Sequence, residues 1–315
     1  MPAPLVIAPA GNATFLNMPL MTDLSTIDAD IAVLGIPYGV PYDMEGVTGG
    51  SSMAPAAIRT RSLPFGRGRF LEHYDFDHGR PLLGKPPLRV VDCGDVPADP
   101  LDIPGNMRRA TAAVRTILER GAMPIVLGGD DSIPIPFFRA FEGSGPLVLV
   151  QIDAHLDFRD EVNGVREGYS SPVRRAAEMP WIDQIIQIGM RGVGSARTEE
   201  VEAALARGNR IIPARDLHVN GVDWLLQQIP DGADYLVTID FDGLNPSVAP
   251  GVGAPLPGGL SFDEAAGILR GLASRGRVAG IDLVEYVPDR DVNDLTALVA
   301  TRLLTNLIGA VANQG

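Results

Sequence analysis

The sequence predicts an α/β fold, a three-layer α-β-α sandwich around an eight-stranded, mainly parallel sheet. Three observations carry that prediction. Short apolar runs of strand length recur along the whole chain, and segments with apolar residues at three- and four-residue spacing lie between most of them. No Pro/Ser-rich linker, composition break or fixed-period repeat divides the chain. Strand alternating with helix implies crossover connections, and therefore a parallel sheet covered on both faces.

In order, the strands are Asp30 to Ile36, Leu88 to Val91, Met123 to Leu127 and Leu147 to Ile152, then Gln184 to Ile188, Arg210 to Ile212, Tyr235 to Ile239 and Val278 to Val284. Helical spacing marks Pro104 to Arg120, Glu199 to Arg207, Phe262 to Ser274 and Asn293 to Val311. The Gly- and Pro-rich stretches Gly46 to Pro55 and Pro246 to Gly259 are too short and too apolar for linkers. They read as ordered loops near a site, or as plain turns. A single domain over residues 1–315 is expected.

Composition narrows the function. Of 315 residues, 45% are apolar and 21% charged, which is the balance of a folded protein. The net charge of −13 argues against nucleic-acid binding, which rests on clustered Lys and Arg. It suits a small cationic substrate, or serves solubility alone. The lone Cys93 forms no internal disulfide, and Met1 to Leu20 contains no Lys or Arg for a signal peptide, so a cytoplasmic location is expected. No apolar run is long enough to span a membrane.

The decisive signal is where the acids fall. Gly128-Gly129-Asp130-Asp131-Ser132, Asp153-Ala154-His155-Leu156-Asp157 and Asp240-Phe241-Asp242 each follow a strand. The carboxyl ends of parallel strands line one rim, so the three clusters converge there. In an extended segment residues two apart point the same way, which puts Asp153, His155 and Asp157 on one side, and Asp240 with Asp242. One such cluster alone would read as a helix cap or Asx-turn. Carboxylates packed into one pocket repel unless cations neutralise them, and two divalent ions do so. Oxygen ligands with one imidazole suit Mn²⁺ best, with Ni²⁺, Co²⁺ and Zn²⁺ tolerated.

At these residues the chain resembles the ureohydrolase (arginase/agmatinase) family, on its agmatinase/guanidinobutyrase-like side, from Gly35-Ile36-Pro37-Tyr38 to the final helix. Asp153 to Asp157 resembles DAHxD. Asp240 to Pro246, continuing Ala249-Pro250-Gly251 to Pro257-Gly258-Gly259, resembles DxDxxDPxxAPGxGxPxPGG with Asn245 at the third acid. Asp92-Cys93-Gly94-Asp95, Gly189-Met190-Arg191-Gly192 and Glu285 with Pro288 match further signatures.

The resemblance implies an arginase-like fold and an oligomer (trimer or hexamer). It implies a binuclear manganese site whose bridging hydroxide attacks the guanidinium carbon of agmatine, guanidinobutyrate or a similar compound, giving an amine and urea. Carried over, the ligands are Asp153, His155, Asp157, Asp240 and Asp242, with Glu285 holding the guanidinium nitrogens, unless Glu285 merely pairs with Arg290.

Two departures stand out. Asp131 occupies the ligand histidine of GGDHS, and Tyr169, in Gly168-Tyr169-Ser170-Ser171-Pro172, occupies a proton-shuttling histidine. A carboxylate Oδ reaches as far as a histidine Nδ1. Asp131 therefore joins the expected ligand set and makes it one charge more negative, which raises the pKa of bound water. A phenol near pKa about 10 replaces an imidazole near about 6.5. His73, His78 and His218 are expected at the surface or at caps. The alternative reading is a catalytically weak or inactive member that serves as a structural or regulatory subunit beside an active paralogue. Asp43 to Ser52 lies where the family carries a substrate-facing loop. It lacks an arginine there, which points to a cationic or neutral substrate tail facing Asp43 and Glu45, unless these are solvated.

Overall fold

The structure, a computed structural model, describes residues 4–42, 50–67, 70–83 and 87–313. Asp43 and Glu45 lie outside them. The main sheet holds eight strands: β1 (Ile31–Gly35), β4 (Val90–Asp95), β5 (Met123–Leu127), β6 (Leu147–Ile152), β7 (Ile182–Ile188), β8 (Arg210–Ile212), β9 (Asp234–Asp240) and β10 (Arg277–Val284). Every pairing in it is parallel, in the order β4-β1-β5-β10-β9-β6-β7-β8. A small antiparallel hairpin, β2 (Tyr74–Asp75) with β3 (Arg80–Pro81), stands apart. Val, Ile and Leu dominate the main strands because both faces are covered, and every residue of β1, β4, β5 and β6 is buried.

Helices α1 (Ala54–Ser62), α6 (Ala214–Leu226), α7 (Phe262–Arg275) and α8 (Leu295–Val311) pack one face of the sheet. The other face carries α2 (Ile103–Glu119), α3 (Pro134–Arg139), α4 (Pro172–Ala176) and α5 (Thr198–Arg207). Their ends follow local chemistry. Asp102 caps α2 by accepting from the Gly105 amide at 2.9 Å, with Pro104 in the first turn. Ser261 and Glu264 form a reciprocal capping box on α7. Met107, Ala110, Val114 and Ile117 give α2 its buried stripe.

Four helices were not evident from periodicity. Part of the Gly46 to Pro55 stretch, expected as loop, is the start of α1, whose Arg59 is fully buried rather than solvent-facing. Its guanidinium bonds Asp92 Oδ2 at 2.9 Å and Asp95 Oδ1 at 2.5 Å on β4. The Asp92-Cys93-Gly94-Asp95 signature is thus an internal ion triad, and removing one member of such a group costs about 3–5 kcal/mol. The short helices α3 and α4 show too few turns for a pattern, and α6 is interrupted by Gly221 at φ 81°. Among the described residues, no helix is long and apolar enough to cross a membrane.

Candidate metal centre

Because the sheet is parallel, its strands end at one rim, and four adjacent central strands supply the acidic residues. The order β5-β10-β9-β6 sets Asp131 beside Glu285, then Asp240 and Asp242, then Asp153, His155 and Asp157. Residues up to 154 positions apart in sequence therefore meet, as in the 2.8 Å bond from the Asp131 amide to Glu285 Oε1.

The local geometry differs from the extended alternation expected of these motifs. Strand β6 ends at Ile152, and Asp157 has a left-handed φ of 47°. Each motif instead folds into an Asx-type turn. Asp153 Oδ1 accepts from the His155 amide at 2.6 Å, Asp240 Oδ1 from the Asp242 amide at 2.7 Å, and Asp130 Oδ1 from the Ser132 amide at 3.0 Å. The turn fixes one carboxylate oxygen and presents the residue two places on, which explains the Asp-x-Asp and Asp-x-His spacing. The β6 and β9 loops are then tied together: Asp242 Oδ1 accepts from the Ala154 amide at 3.1 Å. Gly243 packs so closely on the Asp153 backbone that a Cβ would lie 2.7 Å from the Asp153 nitrogen.

Two groups of possible ligand atoms result, each with its members within 4.8 Å of one another: Asp153, His155 and Asp242, and Asp131, Asp153 and Asp240. Asp153 belongs to both. Asp157 falls outside both and lies alongside, its Oδ2 and that of Asp153 sharing the Gln151 amide at 2.9 and 2.8 Å. Asp131 Oδ2 is buried with no hydrogen-bond partner among the described residues.

The electrostatics are those of a site built for cations. Burial, then repulsion from Asp157, Asp153, Asp240 and Glu285, pushes Asp131 well above the usual carboxylate range. Burial and neighbouring carboxylates raise Asp157, Asp240 and Asp242 likewise. Burial also works to raise Asp153, but hydrogen bonds to His155 and Asp157 outweigh it and hold that carboxyl low. For His155 burial favours the neutral ring, yet Asp153 and Asp242 push it up to about 11, with Nδ1 3.0 Å from Asp242 Oδ2. The imidazolium proton sits where a divalent ion would face the same oxygens. A buried, orphaned carboxylate oxygen and an acidic cluster that otherwise takes up protons fit hard divalent cations with one nitrogen ligand.

Above the carboxylates opens a cavity of about 450 Å³. Glu285, at a left-handed φ of 62°, lies on its floor, where burial followed by repulsion from Asp130 pushes it up to about 8. Arg290 bonds the Gly253 carbonyl at 2.7 Å instead of pairing with Glu285. Tyr169 lines the wall, its ring 4.4 Å from that of Tyr42. Arg159 also lines the cavity, its Nε 3.4 Å from Glu200.

Other motif residues support the loops. Asn245, at the third acidic position of its motif, caps a turn by accepting from the Ser247 amide at 3.0 Å. Arg191 donates to the Asp242, Leu244 and Leu256 carbonyls at 2.5, 3.2 and 2.7 Å, clamping the loop that holds Asp242. None of the other histidines lines the cavity. His73 is exposed, His78 meets the Asn306 carbonyl and His218 sits between Glu264 and Gly258. Sequence reasoning missed Arg159 and the buried glutamines Gln151 and Gln187. The glutamines did leave a signal, as polar residues inside otherwise apolar strands.

A model of the arginase family matches residues 29–309. The chain is 32% identical to the mitochondrial agmatinase of Gallus gallus, over 97% of its own length and 87% of that protein's. It is also 32% identical to the guanidinopropionase of Pseudomonas aeruginosa, covering 97% and 93%. The proclavaminate amidino hydrolase of Streptomyces clavuligerus superimposes with a TM-score of 0.82 at 28% identity, covering 96% of this chain and 98% of that one.

Proposed function

The chain belongs to the arginase family, and from that premise we propose that it is a metal-dependent amidinohydrolase that cleaves a guanidino compound to an amine and urea. The observation that carries this reading is the convergence of five candidate ligands, Asp131, Asp153, His155, Asp240 and Asp242, with Asp157 alongside, beneath a cavity that Glu285 also lines. In this reading His155 and Asp242 would hold one cation and Asp131 and Asp240 the other, with Asp153 within reach of both. When bound, two divalent ions, Mn²⁺ by preference and Ni²⁺ next, supply Lewis acidity that brings the ionisation of water toward neutral pH.

The chain's own groups do the rest. Glu285, with Oε1 fixed by the Asp131 amide, offers its other oxygen to the guanidinium nitrogens in a charge-assisted contact. Asp157, beside the ligand groups and facing the cavity, would be ionised once cations are bound, and its carboxylate then stands where it can stabilise the cationic substrate. Tyr169 orders the cavity wall and offers a phenolic proton. Arg159 lines the cavity together with its partner Glu200, and among the described lining residues it is the arginine that a carboxylate tail would meet. That shifts the favoured substrate from agmatine toward a guanidino acid.

The test is urea release from agmatine, 4-guanidinobutyrate, 3-guanidinopropionate and arginine by protein loaded with Mn²⁺ or Ni²⁺. Turnover is expected to be highest with a guanidino acid. Fully metallated protein that turns over no guanidine overturns the enzymatic reading and leaves the structural or regulatory one.

A further inference from the structure

A chain of buried amides runs through the sheet into the acidic cluster. Gln151 on β6 and Gln187 on β7 are register partners, both essentially inaccessible to solvent, and Asn209, just before β8, is buried beside them. Asn209 Nδ2 donates to Gln187 Oε1 at 2.9 Å, and Gln187 Nε2 donates to Gln151 Oε1 at 2.7 Å. Gln151 Nε2 then donates to Asp153 Oδ2 at 2.8 Å and to Asp157 Oδ2 at 2.9 Å. The second hydrogen of the Gln187 amide goes to the Leu156 carbonyl at 2.8 Å, the peptide just before the left-handed Asp157.

Gln187 and Gln151 each take a hydrogen bond on the oxygen from the outer neighbour, and all three amides give their NH₂ inward. The direction is therefore fixed along its length. A flipped Gln151 would set its oxygen against two carboxyl groups and leave one of the two Gln187 N–H bonds without its acceptor. Three primary amides in a sheet of Val, Ile and Leu carry a desolvation cost that only full pairing offsets. Hydrogen bonds in series polarise one another, so the donor presented to the carboxylates is stronger than an isolated amide.

We propose that Asn209, Gln187 and Gln151 are positioning residues that orient Asp153 and Asp157 and thereby set the affinity and spacing of the cations. The proposal rests on the metal reading of the cluster given above. Gln151 holds Oδ2 of each carboxylate, and in Asp153 the His155 amide holds Oδ1 as well, so that the amide and the turn together fix the plane of the carboxylate shared by both groups. Gln187 does the same for the backbone, because it holds the peptide that turns Asp157 toward the cluster. As neutral groups, these amides hold the geometry with or without cations.

The test compares wild-type protein with Gln151→Leu and Asn209→Ala, using Mn²⁺ titration calorimetry, electron paramagnetic resonance of bound Mn²⁺ and melting of the metal-free chain. Gln151→Leu is expected to weaken Mn²⁺ binding about 10- to 100-fold and to change the coupling between the two ions. Asn209→Ala, at the outer end, is expected to fold and to weaken binding by a smaller factor, which keeps the test decisive if Gln151→Leu does not fold. A role in folding alone would lower the metal-free melting temperature and leave affinity and spectrum as in wild type, and that result overturns the proposal. Wild-type protein that binds neither Mn²⁺ nor Ni²⁺ overturns the metal reading itself, and the relay with it.

Discussion

On the proposed reading Asp131 stands in for a ligand histidine, and its surroundings bear on how a carboxylate is accommodated there. Its carboxylate groups with Asp153 and Asp240 as a ligating imidazole would, but it brings a negative charge into an already repulsive cluster. Restoring a neutral donor should relieve that repulsion. Asp131→His is expected to bind Mn²⁺ about tenfold or more tightly and to move the pH–rate profile to lower pH, because less negative charge makes a bound water more acidic. Calorimetry and urea release measure both, and affinity equal to or below wild type would mark the carboxylate as the better donor in this pocket. The ligand acids were legible as residues, since an acid after a strand of a parallel sheet reaches the rim. The way they point was not. The Asx-turns at Asp130, Asp153 and Asp240 depend on backbone amides, which spacing alone does not reveal.

At the scale of elements, the polar row continues past the glutamines. Thr238 on β9 is the register partner of both Gln151 and Asp282, and Asp282 lies wholly buried on β10. Among the described residues neither Asp282 oxygen has a hydrogen-bond partner. Burial pushes its carboxyl up to about 8. A folded value above the unfolded one means the native state favours the protonated acid. This group's stability is fully present below about pH 4 and lost as pH rises toward 8. Asp282→Asn is expected to melt close to wild type in acid, then increasingly above it between those limits. Parallel thermal melts across pH check this, and a constant offset would rule it out. The eight strands and four long helices were readable from apolar spacing. Helix α1 was not, because buried Arg59 breaks its pattern, and neither were α3 and α4, which are too short to show one.

For the molecule as a whole, cation binding, protonation and stability are linked. His155, pushed up to about 11, must lose its proton to ligate, and the raised carboxyls must be ionised. Binding at neutral pH is therefore expected to release at least about one proton per chain, and affinity is expected to climb as pH rises. At a free Mn²⁺ concentration of about 100 times its Kd, the folded state gains about 2.7 kcal/mol, a rise of several degrees in Tm that a chelator reverses. Calorimetry in buffers of different ionisation enthalpy counts the protons, and zero release would contradict the assignment of His155 as a ligand. The fold was legible at this scale from alternation alone, whereas the strand order was not, because nothing in the sequence of β10 marks it as central.

That strand order has a consequence for how the site is put together. Strand β10, which follows the other seven main-sheet strands in chain order, is the one that joins β5 to β9 in the middle of the sheet. Without residues 277–284 the strand order leaves two separate sets, β4-β1-β5 and β9-β6-β7-β8, with no strand pairing between them. Asp131 then belongs to one set and Asp153, Asp240 and Asp242 to the other. The cluster therefore depends on β10 to bring its two sides together, and a chain stopped short of residue 277 is expected to carry the acids without the site.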